Sequence, residues 1–149
     1  MSTTTAPLSA ACTCGRLRRA NRALTQLYDD LMAPSGLRVT QFSLLRTLAR
    51  EGTSRMSRLA GLLLLDRTAL SRTLDPLAER GFVAIARGRD ARTREVSLTR
   101  AGEMAVRNAE PQWRRAQEQV AHKLGRAKLE ALIATLREIE TLHPDPGGR

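Results

Sequence analysis

The side chains with chemistry to offer are mainly arginines, and their spacing suits recognition of a polyanion. Residues 38–100 hold 13 arginines against 6 acidic residues, a net +7, while the rest of the chain carries only +3 of the total +10. A guanidinium donates two parallel hydrogen bonds to a phosphate or to the edge of a guanine. Excess positive charge favours nucleic acid first and an anionic membrane second. A GC-rich genome would explain arginine over lysine, since Lys123 and Lys128 are the only lysines, but not the net charge.

Two groups stand out. Arg67, Thr68, Ser71 and Arg72 share the polar side of one helical stretch, where short polar and guanidinium groups can reach base edges in a major groove. Residues 88–94, Gly-Arg-Asp-Ala-Arg-Thr-Arg, bring Arg89, Asp90, Arg92 and Arg94 to a polar hairpin tip. Such a tip can extend arginines towards a minor groove, where negative potential is enhanced.

Other chemistry is sparse. Cys12 and Cys14 are too few for a disulfide scaffold, and a bond between them would close a strained small ring. A thiol just before a helix and beside Arg16 is either inert or a redox candidate, and an intersubunit disulfide is one form the latter takes. His122 and His143 have no metal-ligand spacing to the cysteines. No glycine-rich phosphate loop, nucleophile elbow or metal motif is present, so neither catalysis nor a cofactor is expected. Arg16, Arg18, Arg19 and Arg22 are either solvated surface or partners for a carboxylate.

The elements that must position these residues follow from apolar spacing. Leu17, Ala20, Leu24, Leu27, Tyr28 and Leu31 mark a first helix, ended by Pro34-Ser35-Gly36. Thr40 is the expected N-cap of a second helix, with Phe42, Leu45, Leu48 and Ala49 buried and Gly52 closing it. A short third helix, residues 56–63, precedes a fourth capped by Asp66 and stopped by Gly81, with Pro76 expected to bend it. Two β-like runs, residues 82–87 and 95–99, flank the basic tip. Thr99 caps a long helix to Leu124 with Pro111 as a kink, and Gly125 separates it from a last helix. There Leu129, Leu132, Leu136 and Ile139 form a seam for a partner helix. Trp113 is expected in a dimer core or, less simply, in a ligand pocket. The fold class is mainly α with a small β-hairpin wing: a winged helix-turn-helix between N- and C-terminal dimerisation helices.

Residues 59–83, LAGLLLLDRTALSRTLDPLAERGFV, and 89–102, RDARTREVSLTRAG, resemble the MarR family of bacterial transcriptional regulators. The most specific part is Asp90-x-Arg92 followed, after six intervening residues, by Thr99-x-x-Gly102. The resemblance spans about residues 12–142. It implies a homodimer with interleaved terminal helices, Arg92 in the minor groove, Asp90 orienting the wing arginines and residues 67–72 as the recognition helix. It also implies a small aromatic or phenolic effector, or an oxidant, acting between dimer helices and DNA head. Many relatives carry glycine where Leu64 stands, and leucine does not take a left-handed conformation cheaply, so either a reshaped turn or a longer preceding helix is expected.

The expected organisation is a flexible tail over residues 1–13, a dimerisation helix over 14–36, a DNA-binding head over 37–100, dimerisation helices over 101–143 and a tail over 144–149. No stretch is apolar enough to span a membrane and no leader is recognisable, so the expected place is the bacterial cytoplasm, at the nucleoid. The expected function is a ligand-responsive dimeric regulator, a repressor, on double-stranded DNA with a pseudo-palindromic operator. The alternatives are redox sensing through Cys12 and Cys14, a non-specific architectural DNA binder, and a head that docks an acidic protein.

Overall fold

The computed structural model describes residues 12–144, so the expected tails lie outside it except for Cys12, Thr13 and Pro144. Thr13 already opens the first helix, α1 (Thr13–Met32), with the Cys12 thiol accepting from the Gly15 N–H at 3.4 Å. A 3-10 turn (Ala33–Ser35) leads to α2 (Val39–Glu51), β1 (Ser54–Arg55), α3 (Met56–Leu62) and α4 (Arg67–Glu79). Then come β2 (Val83–Arg87), β3 (Arg94–Leu98), α5 (Arg100–Leu124) and α6 (Arg126–Glu140). The strands form one antiparallel sheet in the order β1-β3-β2.

The α2 cap differs from expectation. It falls at Arg38, two residues before Thr40, because two side chains satisfy the first amides there. Gln41 Oε1 accepts from the Arg38 N–H at 3.1 Å, and Asp29 Oδ1 accepts from the Val39 N–H at 2.8 Å. The buried face of α2 is Phe42, Leu44, Leu45, Thr47 and Leu48, whereas Ala49 is exposed. Pro76 and Pro111 both lie inside unbroken helices.

One core joins the head. Phe42, Leu45 and Leu48 of α2, Leu59 of α3, Leu70, Leu74 and Leu77 of α4, and Val83 and Val96 of the hairpin are all buried. Fully burying such a side chain contributes about 1.5–3 kcal/mol. Trp113 is engaged within its own chain, 5.7 Å from the Phe42 ring centroid, with the Arg46 guanidinium 4.0 Å above it. Helix α5 thereby grips the head.

At the wing root the Thr99 hydroxyl accepts from the Gly102 N–H at 3.0 Å and donates to the Gly81 carbonyl at 2.6 Å. The Thr99 N–H donates to the Phe82 carbonyl at 3.1 Å. This gives the Thr99-x-x-Gly102 spacing a physical reason: it ties the hairpin to the first turn of α5.

Outside the head, burial is incomplete. Helix α6 buries no residue, and Leu24, Leu124, Leu132 and Ile133 are 38–42% exposed. Leu24 and Leu27 of α1 with Val120 and Leu124 of α5 line an open apolar groove of about 470 Å³. Among the described residues, no helix is long and apolar enough to cross a membrane.

Candidate nucleic-acid interface

The turn between α3 and α4 sets how the second helix is presented. Its carbonyls are capped by two amides: Leu64 N–H donates to Gly61 at 3.2 Å and Leu65 N–H to Ala60 at 2.9 Å. This pairing normally places glycine at the left-handed residue. Here that residue is Leu64, with φ +51°, the only non-glycine positive φ among the described residues. The turn is therefore not reshaped around leucine, and α3 does not run on. The chain accepts the strained backbone instead.

Asp66 then starts α4, its Oδ1 accepting from the Ala69 N–H at 2.7 Å. With Leu70, Leu74 and Leu77 turned into the core, the outer side carries Arg67, Thr68 and Arg72, all exposed, and Ser71, half-buried. The far end is fixed by Arg80, whose guanidinium donates to the Gly36 carbonyl at 2.8 Å and lies 4.6 Å over the Phe82 ring.

The wing is a two-stranded ribbon, with Arg87 opposite Arg94 where the tip begins. Its tip is held by its own backbone: Gly88 N–H donates to Thr93 at 2.9 Å and Thr93 N–H to Asp90 at 2.8 Å. The Asp90 carboxylate accepts from the Arg92 N–H at 3.1 Å. Asp90 thus shapes the turn that carries Arg92 through the main chain. Among the described residues it forms no ion pair with a wing arginine; the ion pairs there are Arg50–Glu51, Arg58–Glu51, Arg107–Glu103 and Arg114–Glu110.

The sequence-selected residues are only partly brought together. Arg67, Arg92 and Arg94 line one cleft of about 290 Å³ between the wing, the first turns of α3 and the start of α4. Thr68, Ser71 and Arg72 lie outside that cleft on α4, and Arg89 and Asp90 outside it at the tip. Five further lining residues were not selected from the sequence, Arg55, Met56, Ser57, Ala60 and Thr93, of which Arg55 carries the charge. A two-residue strand shows no alternation, so nothing local in the sequence marks Arg55 as a neighbour of the wing.

Among the described residues, no group of three or more histidine, cysteine, aspartate or glutamate side chains is placed to hold a metal ion. Cys12 and Cys14 are both free and exposed.

A capped helix with a polar outer face, a basic ribbon beside it and an arginine-lined cleft between them define a winged helix-turn-helix. The sequence profile of the MarR family matches residues 37–92. The transcriptional regulator MosR of M. tuberculosis, crystallised in complex with DNA, is 37% identical, with a TM-score of 0.78 over 90% of this chain and 100% of that one. MosR in a second crystal structure is 33% identical, with a TM-score of 0.75 over 89% of this chain and 98% of the other. The repressor CouR, bound to a DNA duplex, is 26% identical, with a TM-score of 0.78 over 93% and 99%. No curated protein sequence matches significantly. The chain belongs to the MarR family of DNA-binding transcriptional regulators.

Proposed function

We propose that the protein is a homodimeric repressor that occupies a pseudo-palindromic operator and is released by a small effector. The observation that carries this reading is the outer face of α4 set beside an arginine-lined cleft and a basic wing, with no ion pair neutralising those arginines among the described residues. Arg67, Thr68, Ser71 and Arg72 enter the major groove. Arg89, Arg92 and Arg94 follow the backbone into the minor groove, on a turn shaped by Asp90. Residues 37–100 are the head, and residues 14–36 and 101–143 the dimerisation arms.

Pairing is supported by the half-exposed apolar residues of α1, α5 and α6, which a second copy would cover. A two-fold pair places its heads on half-sites about one helical turn apart. Repression is supported by CouR, a relative described as a repressor. Gel shifts with a duplex selected from a randomised pool, and with its scrambled counterpart, test the reading. Tight binding to the selected duplex alone is expected; equal affinity for both would leave an architectural DNA binder.

A second reading rests on the exposed Cys12 and Cys14 thiols at the head of α1. Two thiols of paired chains would lose two protons and two electrons to peroxide, forming one disulfide and two waters. DNA binding unchanged by peroxide would remove it.

A further inference from the structure

Arg55 and Ser57 have no part in the recognition described above, yet they form one wall of the cleft between α4 and the wing. We propose that this cleft seats a DNA phosphodiester, and that Arg55 anchors the backbone strand without reading sequence. The inference rests on the DNA-binding reading and adds a site to it.

Topology comes first. If α4 occupies a major groove and the wing the adjacent minor groove, the sugar–phosphate strand dividing those grooves must cross between them. The cleft is that space, bounded by Arg67 of α4 on one side and by Arg92, Thr93 and Arg94 of the wing on the other. Arg55 and Ser57 close it from β1 and α3.

Charge comes second. Four arginines line the cleft with no carboxylate among its lining residues, and none of the four belongs to an ion pair among the described residues. Like charges gathered this way repel one another until an anion joins them. A phosphodiester supplies that charge and accepts hydrogen bonds from guanidinium forks and from the Ser57 hydroxyl.

Rigidity comes third. Ser54 and Arg55 pair with Val96 and Glu95 of β3, the strand that starts at Arg94. Ser54 is buried, its hydroxyl donating to the Gly52 carbonyl at 3.2 Å. The backbone of Arg55 is thus fixed to the wing's return strand, while Arg67 is fixed by the Asp66 cap on α4. A phosphate held by both walls clamps the wing to the recognition helix. It carries no base information, so Arg55 contributes position and affinity only.

The test is the salt dependence of binding by fluorescence anisotropy, for the full-length protein on a duplex selected from a randomised pool and on a scrambled duplex. Arg55→Ala should lower affinity about equally on both. It should also flatten the log–log salt slope by about 0.9 per lost phosphate, or about 1.8 for two heads. Arg55→Lys keeps the charge and should keep the wild-type slope. An unchanged slope in Arg55→Ala, a loss confined to the selected duplex, or a slope lost equally in Arg55→Lys would each overturn the proposal. Thermal melts monitored by circular dichroism check that the variants fold. Failure of the wild-type protein to bind either duplex would instead overturn the DNA-binding reading on which the proposal rests.

Discussion

A Cβ on Gly102 would stand 2.1 Å from the carbonyl oxygen of Phe82, so α5 can begin where it does only because this residue has no side chain. The obstacle is backbone, and that same carbonyl accepts the Thr99 N–H at 3.1 Å, so it cannot turn away freely. Gly102→Ala should therefore cost about 1–3 kcal/mol, the usual range for overpacking. Thr99→Ala, which removes the helix cap, should cost about 1 kcal/mol. Urea unfolding measures both. A Gly102→Ala variant as stable as wild type would mean that α5 does not abut the wing root this closely.

Leu64 holds a φ of +51° that leucine adopts at a cost of about 1–2 kcal/mol. Glycine removes that cost but loses about 0.5–1 kcal/mol more chain entropy. Leu64→Gly should thus stabilise the protein by up to about 1.5 kcal/mol, the difference between those two terms. Leu64→Val, with branching at Cβ, should destabilise it. The order of the unfolding midpoints decides the matter; a less stable glycine variant would contradict the left-handed turn.

The sequence made the helices legible because their signals are local. Asp66 and Thr99 cap where short polar side chains should, Gly52, Gly81 and Gly125 stop helices, and leucines at three- and four-residue spacing face the core. The reading failed where a distant side chain intervened. Thr40 looked like a cap, but Asp29 on α1 reaches the amide of Val39 and moves the start to Arg38. Trp113, expected in a dimer core or a ligand pocket, packs within its own chain on Phe42 and Arg46, a contact that its position on α5 alone does not show. Arg55 was invisible because only β3 pairing, some 40 residues on, brings it to the wing (Arg55 opposite Glu95).

Trp113 is the chain's only tryptophan, which makes it a direct reporter of the contact between α5 and the head. Arg46 covers one face of its ring at 4.0 Å. Arg46→Ala should cost about 0.5–1 kcal/mol at this partly exposed site and shift the fluorescence emission to the red as water replaces the guanidinium. Trp113→Ala should cost about 3 kcal/mol, the low end for removing a large aromatic. An unshifted spectrum in Arg46→Ala would mean that the stack does not form.

The Glu51 carboxylate sits between two guanidiniums, and its ionisation is shifted accordingly. Its pKa is lowered from the usual 4.5 by the hydrogen bond from Arg50 and then by that from Arg58. Their nitrogens stand 3.1 and 3.0 Å from the two carboxylate oxygens. A pKa lower in the folded state means that the unfolded chain binds the proton more readily. The stabilisation is therefore present above the unfolded value of about 4.5, and is lost as pH falls through the lower folded value. Glu51→Gln should lower stability at neutral pH and make the acid limb of the stability curve less steep. Parallel acid limbs for the two proteins would show that the pair is not formed in solution.

Leu132 is 38% exposed on a helix that buries nothing within its own chain, so a charge there can be solvated without disturbing the head. In a dimer built through α1, α5 and α6 the same charge would be forced into an apolar seam. Leu132→Glu should leave the melting of the head near wild type while light scattering reports half the mass. Operator affinity should then fall steeply. Two linked heads bind the second half-site at an effective concentration that raises affinity about 10²–10⁴-fold, and separated heads lose that gain. Each single head keeps its arginines and so keeps weak, salt-sensitive binding. A Leu132→Glu protein that stays dimeric would place the interface elsewhere. A monomer that binds the full operator as tightly as wild type would show that the heads do not act as a pair.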